Sequence, residues 1–197
     1  MEDKESKEDL SEMSLEELWE LFPIILKEHN PEYKNWYLEE KEKLIKVLDD
    51  DKIVRINHIG STAVKGLIAK PTVDILLEIN KVYNLKYLKD TLKKENWILM
   101  HENDLDDLNL VFNKGYTPEG FAKKVFHLHV RYPGDYDELY FRDYLIKHDK
   151  VAKKYEKLKK DLEKKYKNNR DAYTEAKSDF IEKWTKEARE EFDNKYK

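Results

Sequence analysis

No cysteine occurs among the 197 residues, which excludes a disulfide framework, a thiol nucleophile and any thiolate metal centre. No apolar run approaches the roughly 20 residues that a bilayer-spanning helix needs, and the N-terminus is acidic rather than a basic region followed by an apolar stretch. Neither membrane insertion nor secretion is indicated, and a cytoplasmic protein with no membrane partner is expected. A surplus of positive charge is also missing: the formal net charge is −4 with 41% charged residues, which argues against bulk attraction to nucleic acid or anionic lipid.

What is present suffices for one compact core, since 40% of side chains are apolar and 12% aromatic. Residues 1–13 carry acids and lysines with almost nothing to bury and read as a mobile tail, leaving residues 14–197 as a single folded domain. Ser14 and Glu17 have capping-box spacing, and Leu18, Trp19, Leu21 and Phe22 predict a short helix ending before Pro23. Asn30 caps a second helix with Pro31 at its first position and Tyr33, Trp36, Tyr37, Leu44, Val47 and Leu48 on one side.

From Ile53 to Tyr132 the period changes to two, with strands predicted at 53–59, 72–80, 96–101, 109–113 and 124–132. Residues 82–95 read as an intervening amphipathic helix, and Glu102 to Asp107 as an acidic surface connection. After Pro133 and Gly134, helical periodicity returns near 136–149, 150–167 and 170–193. A mixed sheet with N-terminal and C-terminal helices follows.

The segment Ile53 to Val73 contains no Asp or Glu, although about 4.5 would be expected in its 21 positions from a composition of 42 acids in 197. It carries Arg55, His58, Lys65 and Lys70, interrupted by Gly60, Ser61, Thr62 and Gly66. Basic side chains around a glycine turn let backbone N–H groups approach phosphate oxygens, making Arg55, Gly60, Ser61, Thr62 and Lys70 phosphate-binding candidates. An ordinary turn between strands is the alternative. In the next strand Val73, Ile75, Leu77 and Ile79 alternate with Asp74, Leu76 and Glu78. An acid in so apolar a strand is costly unless it is paired, binds a metal or reaches water. Asp74 is therefore the first candidate catalytic and metal-binding residue; a buried pair with Lys70 or Arg55 is the competing explanation.

The run HIGSTAVKGLIAKPTVDILLEI, residues 58–79, resembles the signature of the GrpB family, a branch of the polymerase-beta-like nucleotidyltransferases. The likeness continues at FHLHV (126–130), FRDYL (141–145) and the Tyr155, Leu158, Lys159, Arg170, Tyr173, Lys177 and Phe180 pattern, covering roughly residues 20–190. It implies an α/β fold with a mixed-sheet nucleotidyltransferase-like core, a nucleotide-binding turn at Gly60 and Ser61, and a first metal-binding acid at Asp74. A second acid is usual two residues later, where this chain has Leu76. Mg²⁺ prefers carboxylate or water oxygens, which leucine cannot supply. Glu78 lies about 13 Å along the strand from Asp74, against about 7 Å for position 76.

Alternation in Val125 to Arg131 places His127, His129 and Arg131 opposite Phe126, Leu128 and Val130. With Asp74 or Glu78, the two histidines would form an N/O site suited to a transition metal, provided the strands are neighbours. Hydrogen-bonded or solvated histidines are the plainer reading. Asp74, His127 and His129 are expected to share one cleft with Ser61. Lys177, four residues after Tyr173, is a further phosphate-binding candidate. The lysine-rich stretch Lys150 to Arg170 reads as the solvated face of a helix whose buried stripe is Val151, Tyr155, Leu158, Leu162 and Tyr166. The expected ligand is thus a nucleotide or phosphorylated small molecule, with a divalent cation (Mg, Mn or Zn). The resemblance implies a transferase; the residues leave open a non-catalytic nucleotide or anion-binding module of the same fold.

Overall fold

The computed structural model describes residues 10, 12–48, 50–103 and 107–197. Most of the expected 1–13 tail and the centre of the Glu102 to Asp107 connection lie outside the described residues. The N-terminal helix α1 (Leu15–Leu21) carries the expected reciprocal cap between Ser14 and Glu17. Helix α2 (Tyr33–Val47) starts later than expected, because Asn30 caps a turn instead, its Oδ1 accepting from the Glu32 N–H.

Five strands follow: β1 (Ile53–Ile59), β2 (Thr72–Ile79), β3 (Ile98–Asn103), β4 (Asn109–Thr117) and β5 (Gly120–Arg131), with helix α3 (Leu85–Lys94) between β2 and β3. The start of β3 is delayed because Asn96 takes φ +64 at the helix exit and Trp97 donates back to the Leu92 carbonyl. Glu102 and Asn103 belong to β3 rather than to a surface connection. The sheet order is β1-β2-β5-β4-β3, with β2 and β5 parallel and the other pairs antiparallel, which makes it the mixed sheet anticipated from the periodicity.

Period-two alternation in β2 directs Val73, Ile75, Leu77 and Ile79 into a core with Tyr33, Trp36 and Leu44 of α2 and Leu88 and Leu92 of α3. On the opposite face α4 (Asp137–Lys147) packs through Leu139, while α5 (Asp149–Tyr166) and α6 (Arg170–Glu175) stand across a cavity from the strands and are followed by α7 (Ser178–Phe192). Leu76 on that face packs with Ile59 and Leu139 and has no exposed surface. The predicted 170–193 helix is broken at Ala176 and Lys177, where Lys177 N–H bonds back to Thr174. The break sets Lys177 Nζ 4.5 Å from the centroid of the Tyr173 ring.

Candidate functional site

Parallel pairing of β2 with β5 puts Asp74 opposite His127, Leu76 opposite His129 and Glu78 opposite Arg131. On the other side β1 ends with Ile59 opposite Asp74, after which the chain turns at Gly60 into a 3-10 turn, Ser61–Ala63. Asp74 therefore stands between the glycine turn and His127. Gly60 has φ +72, and a Cβ there would lie 2.4 Å from Asp74 Oδ2, so both backbone conformation and close approach require glycine.

Asp74 Oδ1 is 3.0 Å from His127 Nδ1. Arg170 donates to the Tyr116 hydroxyl (2.7 Å), which lies 2.8 Å from His127 Nε2. The ionised Asp74 carboxylate can only accept, so the proton of the neutral ring resides on Nδ1 and is donated to Asp74, leaving Nε2 to accept from the Tyr116 hydroxyl. Burial holds His127 below the usual histidine range, in keeping with a neutral ring. Burial pushes the Asp74 carboxyl up, but the hydrogen bond from His127, helped by the electrostatic pull of the two histidines and Lys70, outweighs it, and Asp74 stays below the usual carboxylate range. Tyr116 follows a β4 bulge at Gly115, φ +92, where a Cβ would meet the Lys124 carbonyl at 2.3 Å.

Asp74, His127, His129 and Ser61 line one cavity of about 320 Å³, the convergence expected from strand alternation. Four cations join them there: Lys70, Lys159 from α5, Arg170 from α6 and Lys177 from the break before α7. Lys159 has 3% exposure and donates to Ser61 Oγ (3.0 Å) and the Ile68 carbonyl. Burial, reinforced by neighbouring cations, pushes Lys70 and Lys159 down to about 7 and Lys177 to about 8. Among the described residues, neither Lys70 nor Lys177 has a hydrogen-bonding or salt-bridge partner. The cavity continues past Asp74, His129, Tyr155 and Lys177 into a second one of about 680 Å³, bounded by Tyr136, Phe141 and Ile181.

Several expected roles are corrected. Arg55 does not reach this cavity: it forms a two-point pair with Glu78 (NH2 to Oε1 2.6 Å, Nε to Oε2) and donates to the Gly134 carbonyl at 2.7 Å. Glu78, with no exposed surface, also accepts from Gly134 N–H at 3.1 Å, so it is a structural ion-pair partner and not a metal ligand. Arg55 likewise leaves the set of phosphate candidates. The Thr62 hydroxyl is spent on the Thr72 carbonyl and on His58 Nε2, each at 3.0 Å, which fastens the turn to β2. Lys159 is not on a solvated face; it extends the buried stripe of Ala152 and Tyr155.

The donor set does not fit a two-cation centre. Leu76 sits under Leu139, His127 is engaged at both nitrogens, and Asp74 is the one carboxylate in the cavity. Among the described residues, no group of three or more His, Asp or Glu side chains could hold a metal ion. The composite site of Asp74, Glu78, His127 and His129 is not formed.

Sequence reasoning missed Tyr116 and Arg170 as partners of His127 and assigned Lys159 to solvent. A usable signal existed for Lys159, which lies four residues after Tyr155 on the apolar stripe. Tyr116 carried none, because its direction depends on the bulge. No helix among the described residues is long and apolar enough to cross a membrane.

Comparison with known proteins places these elements in a family context. The family model described as GrpB protein matches residues 23–187. The chain is 33% identical over 163 residues to the glutamate-rich protein GrpB of Alkalihalophilus pseudofirmus, a match covering 81% of this chain and 92% of that one. It is 30% identical over 156 residues to protein YqkA of Bacillus subtilis, covering 78% of this chain but only 43% of that longer relative. The crystal structure of conserved protein GrpB from Enterococcus faecalis superposes with a TM-score of 0.73 at 29% identity, covering 85% of this chain and 99% of that one.

Proposed function

The chain belongs to the GrpB family, and from that premise we propose that it binds a nucleotide or another phosphorylated small molecule in the cavity beside the Gly60 turn. One observation carries this reading: four basic side chains share a single carboxylate there, and two of them, Lys70 and Lys177, have Asp74 as their opposite charge without a direct salt bridge to it among the described residues. Partly dehydrated cations that outnumber their counter-charge are costly, and a phosphate group with several acceptor oxygens relieves that cost. Ser61 and the turn supply hydrogen-bonding groups at one wall, while Lys70, Lys177 and Arg170 supply charge at the others. The adjoining 680 Å³ cavity offers space for the remainder of the ligand, with Tyr136, Phe141 and Ile181 as apolar surface.

Binding without transfer is favoured over nucleotidyl transfer, since Leu76 provides no oxygen where the resemblance calls for a second acid. Calorimetric titration with a panel of nucleoside phosphates and sugar phosphates tests the reading. At least one member is expected to bind, with Lys177→Ala weakening it about tenfold. No binding by any member, with or without divalent cations, refutes it. Release of pyrophosphate from a nucleotide-and-acceptor panel, abolished by Asp74→Ala, would instead establish a transferase.

A further inference from the structure

Building on the phosphate-binding reading, we propose that this cavity takes its anion free of divalent metal, with Lys70, Lys159, Lys177 and Arg170 acting as the charge neutraliser, and that its preferred ligand group is a condensed phosphate. A two-cation site surrounds its metals with carboxylates, so that metal charge is balanced by protein and ligand together. Here the proportion is inverted, with one carboxylate against four cations. A divalent ion placed beside Asp74 would meet like charge at Lys70, Lys159, Arg170 and Lys177, whereas a di- or triphosphate would meet opposite charge there.

Asp74 is also poorly disposed as a ligand. Oδ1 accepts the His127 proton at 3.0 Å, which leaves Oδ2, facing the Gly60 turn, as the single oxygen not already engaged by His127. These constraints suit a carboxylate that orients its neighbours and repels a misplaced anion. They do not suit one that must approach a hydrated ion with two open oxygens. The cations come from three separate places: Lys70 precedes β2, Lys159 lies on α5, and Arg170 opens α6 while Lys177 follows it. Such a distribution surrounds a ligand with several charged oxygens better than it serves a single carboxylate.

The probe is inorganic pyrophosphate, titrated calorimetrically into the full chain with excess EDTA and, separately, with excess Mg²⁺. Binding in EDTA is expected to equal or exceed that in Mg²⁺, because the metal complex presents less charge to the lysines. Asp74→Asn should tighten binding in EDTA by about threefold to tenfold, as a repulsive charge is removed while the His127 contact is kept. Lys177→Gln should weaken it by about tenfold or more. Thermal denaturation of both variants confirms that they fold. Binding that requires Mg²⁺, or that Asp74→Asn abolishes, overturns the metal-free assignment while leaving the phosphate site standing. Absence of pyrophosphate binding in both buffers overturns the assignment, and the phosphate site falls with it only if the nucleotide and sugar-phosphate panel also fails to bind.

Discussion

Asp74 and Glu78 are two carboxylates on the same face of the same strand, four residues apart, yet they do opposite things. Glu78 has no exposed surface, takes a two-point pair from Arg55 and accepts the Gly134 N–H at the entrance to α4. Asp74 keeps 27% of its side chain exposed, touches a neutral histidine and faces cations across a cavity. Between them Leu76 is sealed by Leu139, so α4 divides one strand face into a closed end and an open end. A buried carboxylate with every acceptor direction satisfied is structural, and one left beside unpaired cations is available to a ligand.

The sharpest way to break that contrast is to remove Glu78. Glu78→Ala strands the Arg55 guanidinium beside Gly134 and should cost about 3–5 kcal/mol of stability in chemical denaturation. Asp74→Asn, which preserves an acceptor for His127, should cost less than about 1 kcal/mol. Equal losses at the two positions would show that both ends are structural.

A second contrast concerns the cations rather than the acids. Lys159 is held at about 7 by burial in the folded chain, against an ordinary value of 10.5. Above about pH 7 the unfolded chain keeps a proton that the folded chain has released, so stability rises with pH, by at most about 1.4 kcal/mol per pH unit for each such lysine. Below that pH both states are protonated and the contribution to the slope vanishes. The window to read is from about pH 7 to 9, before tyrosine titration intervenes. Denaturation across it should show stability increasing in the wild-type chain and a shallower slope in Lys159→Met. An unchanged slope would mean that Lys159 stays charged.

A third contrast lies at the turn. Gly60→Ala forces a side chain into a φ of +72 and drives a methyl group against Asp74 Oδ2. A stability loss of about 2 kcal/mol is expected, together with weaker phosphate binding because the turn that carries Ser61 into the cavity is displaced. Full retention of stability would show that Gly60 and Asp74 are farther apart in solution than 2.4 Å implies.

Local sequence was enough to determine much of this protein. Period-two alternation fixes which side chains of β2 and β5 share a face, because successive Cβ atoms in a strand point oppositely whatever surrounds them. The absence of acids from Ile53 to Val73 marks the turn, and Ser14 with Glu17 marks the first helix start. The break at Ala176 and Lys177 was not legible, since the apolar spacing continues through it unchanged. Tertiary structure alone decided which acid is paired, because Arg55 reaches Glu78 through a β1–β2 register that no local pattern specifies. It alone turned Lys159 inward, against the general tendency of lysine to remain solvated. Strand alternation acts between neighbours in sequence and can be read from it. The cation cavity is made by residues up to 117 positions apart, from Gly60 to Lys177, and their meeting depends on how whole helices pack over the sheet.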